Sequence, residues 1–189
     1  MSYFFEKVSE NPVIASVYDL EMLDSALDSS CEIIALLTGN IFNLKEIANR
    51  VSRMDKVLLI YVDEIDGFSK DTWGLEYIVR NIPLDGIITS RENLLKLSKD
   101  MGVFTIRRTF IHDSRTLNEV LEAVKKNRPH AIEILPGILP RVIERLVRET
   151  KLPLIAGGLI SDFRDVESSL EAGAIAISTS NEAIWQLKR

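Results

Sequence analysis

Short apolar runs recur along the chain at 13–17, 33–37, 57–62, 86–89, 103–107, 131–135, 154–156 and 174–178. Each is too short for a helix and reads as a buried strand. The segments between them carry apolar residues at helical spacing. In 138–149, Val142, Ile143, Leu146 and Val147 form one stripe while Arg141, Arg145 and Arg148 face away. Eight such alternations without a linker predict a single α/β domain over 1–189, a compact closed (β/α)₈ barrel of the TIM type. Shared among eight units, 189 residues leave about 24 each, against roughly 30 in that fold, so some helices must be short. Thr116 and Glu119 have capping-box spacing for a helix through Lys126, and Gly102 and Gly173 stand where helix-to-strand turns need a left-handed residue. If Ser178 faces inward, alternation puts Ala176 and Ala174 inside and Ile175 and Ile177 outside.

Composition narrows the function classes. A net charge of −5 and a pI near 5.2 argue against broad, charge-driven adhesion to nucleic acid and leave room for a local basic face. The single Cys31 excludes an internal disulfide, and no apolar run is long enough to cross a bilayer. The start of the chain carries no basic leader, so the expectation is a cytoplasmic protein without membrane contact.

The densest chemistry lies in the last quarter. Leu154-Ile155-Ala156-Gly157-Gly158 ends a strand in a glycine pair, and Ile177-Ser178-Thr179-Ser180 ends the next in hydroxyls; each is followed by a helix. Two neighbouring turns of this kind present backbone N–H groups to one point, which is how such barrels hold a phosphate ester. The same mouth collects the polar residues that close the other strands: Asp63 and Glu64, Ser90 and Arg91, Arg107 and Arg108, and Glu133. Glu133, embedded in an apolar strand, needs a cation beside it, and Arg108 or Arg107 is the natural partner, as a structural pair or as part of a ligand site. Asp63 can instead cap the 65–67 loop, and Ser90 reads as an N-cap. Arg91 at a helix start opposes the dipole unless an anion lies nearby. His112 and His130 lack metal-ligand spacing, and no nucleophile motif or strand-end lysine is present, so neither metal, cofactor nor catalytic residue is assigned.

Five segments together resemble the glycerol uptake operon antiterminator regulators: Val62-Asp63-Glu64-Ile65-Asp66-Gly67, Gly86-Ile87-Ile88-Thr89-Ser90-Arg91, Ile132-Glu133-Ile134-Leu135-Pro136-Gly137-Ile138, Ala156-Gly157-Gly158-Leu159-Ile160, and Ser178-Thr179-Ser180-Asn181 with Trp185 close behind. The resemblance implies a non-enzymatic barrel that senses glycerol 3-phosphate, or a similar small phosphate ester, and acts on a leader messenger RNA of glycerol-uptake genes. Carried over by position, Gly157, Gly158, Ser178, Thr179, Ser180 and Arg108 would hold the phosphate. Asp63 and Glu133, with Ser90 and Arg91 beside them, would meet the polyol. For RNA, the candidates are Arg141, Arg145 and Arg148 on one helix face with Lys125 and Lys126 on the preceding helix, although interleaved Glu122, Glu144 and Glu149 also suit an ordinary solvated face. Self-association is left open. The rival reading is a small isomerase or lyase acting on a sugar or triose phosphate through the same cup, with Asp63 or Glu133 as base.

Overall fold

The computed structural model describes residues 2–186. Eight parallel strands close in chain order: β1 Val13–Val17, β2 Ile33–Leu36, β3 Val57–Tyr61, β4 Gly86–Thr89, β5 Phe104–Phe110, β6 Ala131–Leu135, β7 Leu154–Gly157 and β8 Ala176–Thr179. A helix stands ahead of the barrel, α1 Ser2–Glu10. The others follow the strands: α2 Leu23–Asp28, α3 Leu44–Arg53, α4 Thr72–Asn81, α5 Glu92–Asp100, α6 Ser114–Asn127, α7 Pro140–Thr150, α8 Phe163–Glu171 and α9 Glu182–Trp185. The expected (β/α)₈ barrel is therefore the observed fold. Its economy is visible in α2 and α9, of 6 and 4 residues.

Period-two alternation separates two apolar layers. Ile14, Ile33, Leu59, Ile106, Ile155 and Ala176 pack inside the barrel, while Ala15, Ile34, Ile60, Ile132 and Ile177 lie beneath the helices. The pattern does not reach back to residues 174 and 175. The strand begins only at Ala176, so Ala174 joins the outer layer and Ile175 packs against the interior, the reverse of the sequence-based expectation.

The alternation gave no sign of α1. Its Phe4 and Val8 join the interior cluster, with the Phe4 ring 4.7 Å from that of Phe104 at the start of β5, so this helix plugs the N-terminal end of the barrel. Lys7 holds it in place through Glu32 at 2.8 Å. Closing one end with side chains leaves the other as the place for a ligand.

Helix ends follow local chemistry. The expected Thr116–Glu119 capping box is absent: Asp113 caps α6 by accepting from the Thr116 N–H at 2.8 Å, and Glu119 pairs with Arg115. Gly102 and Gly173 do take left-handed conformations, with φ of +76° and +103°. A Cβ on Gly102 would meet nothing within 4 Å, so Gly102→Ala isolates backbone strain. It should cost about 1–2 kcal/mol, read as a lower urea midpoint with an unchanged m-value.

Candidate functional site

At the C-terminal mouth lies a cavity of about 430 Å³. Its wall comprises Ser16, Tyr18, Leu37, Arg108, Glu133 and Leu135, residues 158–161 after β7, and residues 178–181 at the end of β8. Arg108, Gly158, Ser178, Thr179, Ser180 and Glu133 are thus brought together around one space. Gly157 stands immediately behind it.

The Arg108–Glu133 pair anchors the wall. Glu133 Oε2 accepts from Arg108 Nε at 2.7 Å and Oε1 from Nη2 at 3.1 Å, a bidentate contact with side chains 7% and 2% exposed. The pairing follows from register, since Arg108 lies directly opposite Glu133 on adjacent strands and both point inward. Burial opposes the charge on Arg108, but Glu133 outweighs it and holds the guanidinium above its ordinary value. The Tyr61 ring lies 4.4 Å from the guanidinium carbon. A Cβ on Gly157 would stand 2.9 Å from Glu133 Oε1, so glycine there makes room for the carboxylate. Arg107, one residue away, points outward beneath the helices. Glu92 lies 3.8 Å from it, and its Nε and Nη1 are buried without a hydrogen-bond partner among the described residues.

The two final turns supply the other side of the cavity. Gly158 adopts φ +74°, a value natural to glycine, and its carbonyl accepts from the Gly137 N–H at 3.1 Å. Ser178 Oγ lies 2.6 Å from Ser16 Oγ, both buried. Thr179 Oγ1 braces the β7 turn by donating to the Ile160 carbonyl at 3.1 Å, and the fully buried Trp185 donates to the Thr179 carbonyl at 2.7 Å. One sequence-based expectation needs correction here. The Arg164 and Asp165 amides of α8 are not free for a ligand, because the Asp162 side chain takes both, while Asp165 in return takes the Ser161 and Asp162 N–H groups. Helix α9 is a single turn. The amides of Leu159 and Ser180, which have no acceptor among the described residues, remain available at the cavity wall.

Asp63, Ser90 and Arg91 are not part of that wall. Asp63 does not cap the 65–67 loop but braces the turn after β4: it accepts from Thr89 Oγ1 at 2.6 Å, the Ser90 N–H at 2.8 Å and Ser90 Oγ at 2.5 Å. Ser90 is accordingly not an N-cap. Arg91 occupies that position, its side chain half exposed and 4.0 Å from Asp63. Sequence reasoning missed Ser16, Tyr18 and the apolar lining Leu37, Leu135, Leu159 and Ile160. Ser16 carried a signal, being the one polar residue in an apolar run, two positions beyond the inward Ile14.

Of the RNA candidates, Lys125 pairs with Glu122 at 2.8 Å, and Arg145 donates to Glu149 at 2.8 Å and Asn118 at 3.1 Å. Arg141, Arg148 and Lys126 are exposed, with no salt bridge among the described residues. The two histidines are structural, His130 accepting from the Thr105 N–H at 2.9 Å and His112 stacking on Phe110. No helix among the described residues is long and apolar enough to cross a membrane.

A closed (β/α)₈ barrel, plugged at one end and open at the other onto glycine, hydroxyl and arginine groups, defines a TIM-type barrel with a candidate anion site at its mouth. Residues 13–185 match the model of the glycerol-3-phosphate responsive antiterminator family, and the chain belongs to that family. It is 36% identical over 180 residues to "Uncharacterized protein YgcP" of Escherichia coli K12, covering 95% of this chain and 94% of that one. Among solved structures, it resembles the glycerol uptake operon antiterminator regulatory protein from Listeria monocytogenes, with TM-score 0.89, 28% identity, and 93% and 95% of the two chains covered. It shares the fold of a glycerol uptake operon antiterminator-related protein from Thermotoga maritima at TM-score 0.83 and 23% identity, with 93% and 98% covered.

Proposed function

We propose that the protein is a regulator that binds glycerol 3-phosphate, or a similar small phosphate ester, at the barrel mouth and in response acts on the leader messenger RNA of glycerol-uptake genes in the cytoplasm. The observation that carries the ligand half is the convergence of Gly158, Ser178, Ser180 and Arg108 on one cavity. Backbone amides and hydroxyls on one side and a guanidinium on the other suit a phosphate, whose oxygens are acceptors spread in three dimensions. Glu133 and the Ser16–Ser178 pair offer acceptors and donors to the hydroxyls of the polyol. Family membership and the description of the Listeria relative support the regulatory half.

The same geometry disfavours an enzyme. General acid-base work needs a group free to exchange a proton, whereas Glu133 and Arg108 are committed to each other and Asp63 is committed to the turn after β4. For the RNA half, Arg141, Arg148 and Lys126 are the members of the candidate set with no salt bridge among the described residues. Reversing them should weaken leader-RNA binding and flatten its salt dependence. Unchanged affinity would exclude that face.

The ligand half is tested by thermal unfolding. At a hundredfold excess over its dissociation constant, glycerol 3-phosphate should stabilise the protein by about 2.7 kcal/mol, while glycerol alone leaves the midpoint in place. Equal shifts for the two compounds would remove the phosphate argument.

A further inference from the structure

Tyr61 closes β3 and is 7% exposed. It does not line the cavity, yet its ring faces the guanidinium of Arg108 at 4.4 Å. Glu133 engages Arg108 within the guanidinium plane, through Nε and Nη2. An in-plane contact alone leaves the group free to tilt about that edge, and a ring at cation–π distance from the guanidinium carbon limits that tilt. Nη1 is the nitrogen that neither Glu133 contact uses. Ser90 and Arg108 both interact with the Tyr61 side chain, and Asp63 holds Ser90 through its N–H and Oγ. Asp63, Ser90 and Tyr61 thus form a shelf on which Arg108 rests.

We infer that Tyr61, backed by Ser90 and Asp63, is a positioning residue that fixes the guanidinium of Arg108 so that the edge Glu133 does not hold meets the phosphate. The inference rests on reading the mouth as the phosphate site. It gives Asp63 and Ser90 a role that needs no contact with the ligand, and assigns Tyr61 a role that the apolar strand pattern concealed.

The test combines calorimetric titration of glycerol 3-phosphate with the ¹⁵N-edited resonance of the Arg108 Nε–H in the ligand-free protein, assigned through Arg108→Lys. Tyr61→Met should weaken binding roughly tenfold and shift or broaden the Arg108 signal. Tyr61→Phe, which keeps the ring but loses the hydroxyl, should recover affinity to within about threefold of the parent, with a smaller shift of the Arg108 signal. Asp63→Asn, away from the cavity, should shift the same signal and weaken binding by about threefold, and it serves as the second probe if Tyr61→Met does not fold. Binding and an Arg108 signal unchanged in both Tyr61→Met and Asp63→Asn would overturn the inference. Failure of the unmodified protein to bind glycerol 3-phosphate would overturn the phosphate reading and this inference with it. That result is distinguishable, because it appears before any Tyr61 substitution is made.

Discussion

Glu133→Gln should lower stability by about 3 kcal/mol and at the same time tighten the binding of inorganic phosphate roughly tenfold. Both effects come from one charge. Arg108 and Glu133 are 7% and 2% exposed, so removing the carboxylate leaves a guanidinium with no counter-charge in a water-poor site. Breaking a buried pair from one side costs about 3–5 kcal/mol. Glutamine keeps one acceptor oxygen, which places the expected loss at the lower end. Binding moves the other way, because a carboxylate within several ångströms of an anion repels it by on the order of 1–4 kcal/mol at protein-like screening. Inorganic phosphate is the informative probe, since it reports charge alone, whereas glycerol 3-phosphate also loses an acceptor for its hydroxyls. Urea unfolding and calorimetry on the same preparation give the two numbers. Phosphate binding that weakened together with stability would mean that the anion does not lie beside this pair.

Gly137→Ala should cost about 3 kcal/mol and reduce glycerol 3-phosphate affinity by at least about tenfold. A Cβ at this position would stand 2.7 Å from the Gly157 nitrogen and 2.8 Å from the Ala156 carbonyl carbon. Both are backbone atoms and cannot swing aside as the tip of a side chain could. The loop after β6 is also clasped to the β7 turn, Gly137 N–H to Gly158 carbonyl at 3.1 Å, with Ser169 Oγ donating to the Gly137 carbonyl at 2.9 Å. A methyl group therefore pushes apart two strand ends, breaks the Gly137–Gly158 bond and displaces the turn that presents its amides to the cavity. Gly102→Ala is the control, a backbone change away from the cavity that should lower stability and leave affinity alone. Intact affinity in Gly137→Ala, with reduced stability, would remove the β7 turn from the anion site.

Much of this architecture was legible along the chain. All eight strands lie where the apolar runs are, since a strand buried on both faces must be apolar throughout its short length. Most disagreements fall at the edges of that signal. Phe104–Phe110 extends beyond 107 because its register with β6 carries the ladder to Leu135. Alternation was carried past the true start of β8, to residues that lie outside the strand. Asp113 displaced Thr116 as a cap because a carboxylate three residues ahead of it takes both the Thr116 N–H and the Thr116 hydroxyl. Helix α1 escaped notice because its apolar residues are read as a core face only once the open end of a barrel exists to receive them.

The site divided along the same line. By itself the sequence determined the barrel, the glycine and hydroxyl turns at its mouth, and the need of Glu133 for a cation, because strand alternation, glycine's conformational range and the cost of a buried charge are properties of single residues and their immediate neighbours. Only the tertiary structure decided that Arg108 rather than Arg107 answers Glu133, that Ser16 meets Ser178 across the closure of the barrel, that Asp162 occupies the Arg164 and Asp165 amides of α8, and that Tyr61 lies against the guanidinium. Those choices depend on register and closure, which bring together residues far apart in the chain and which no local pattern encodes.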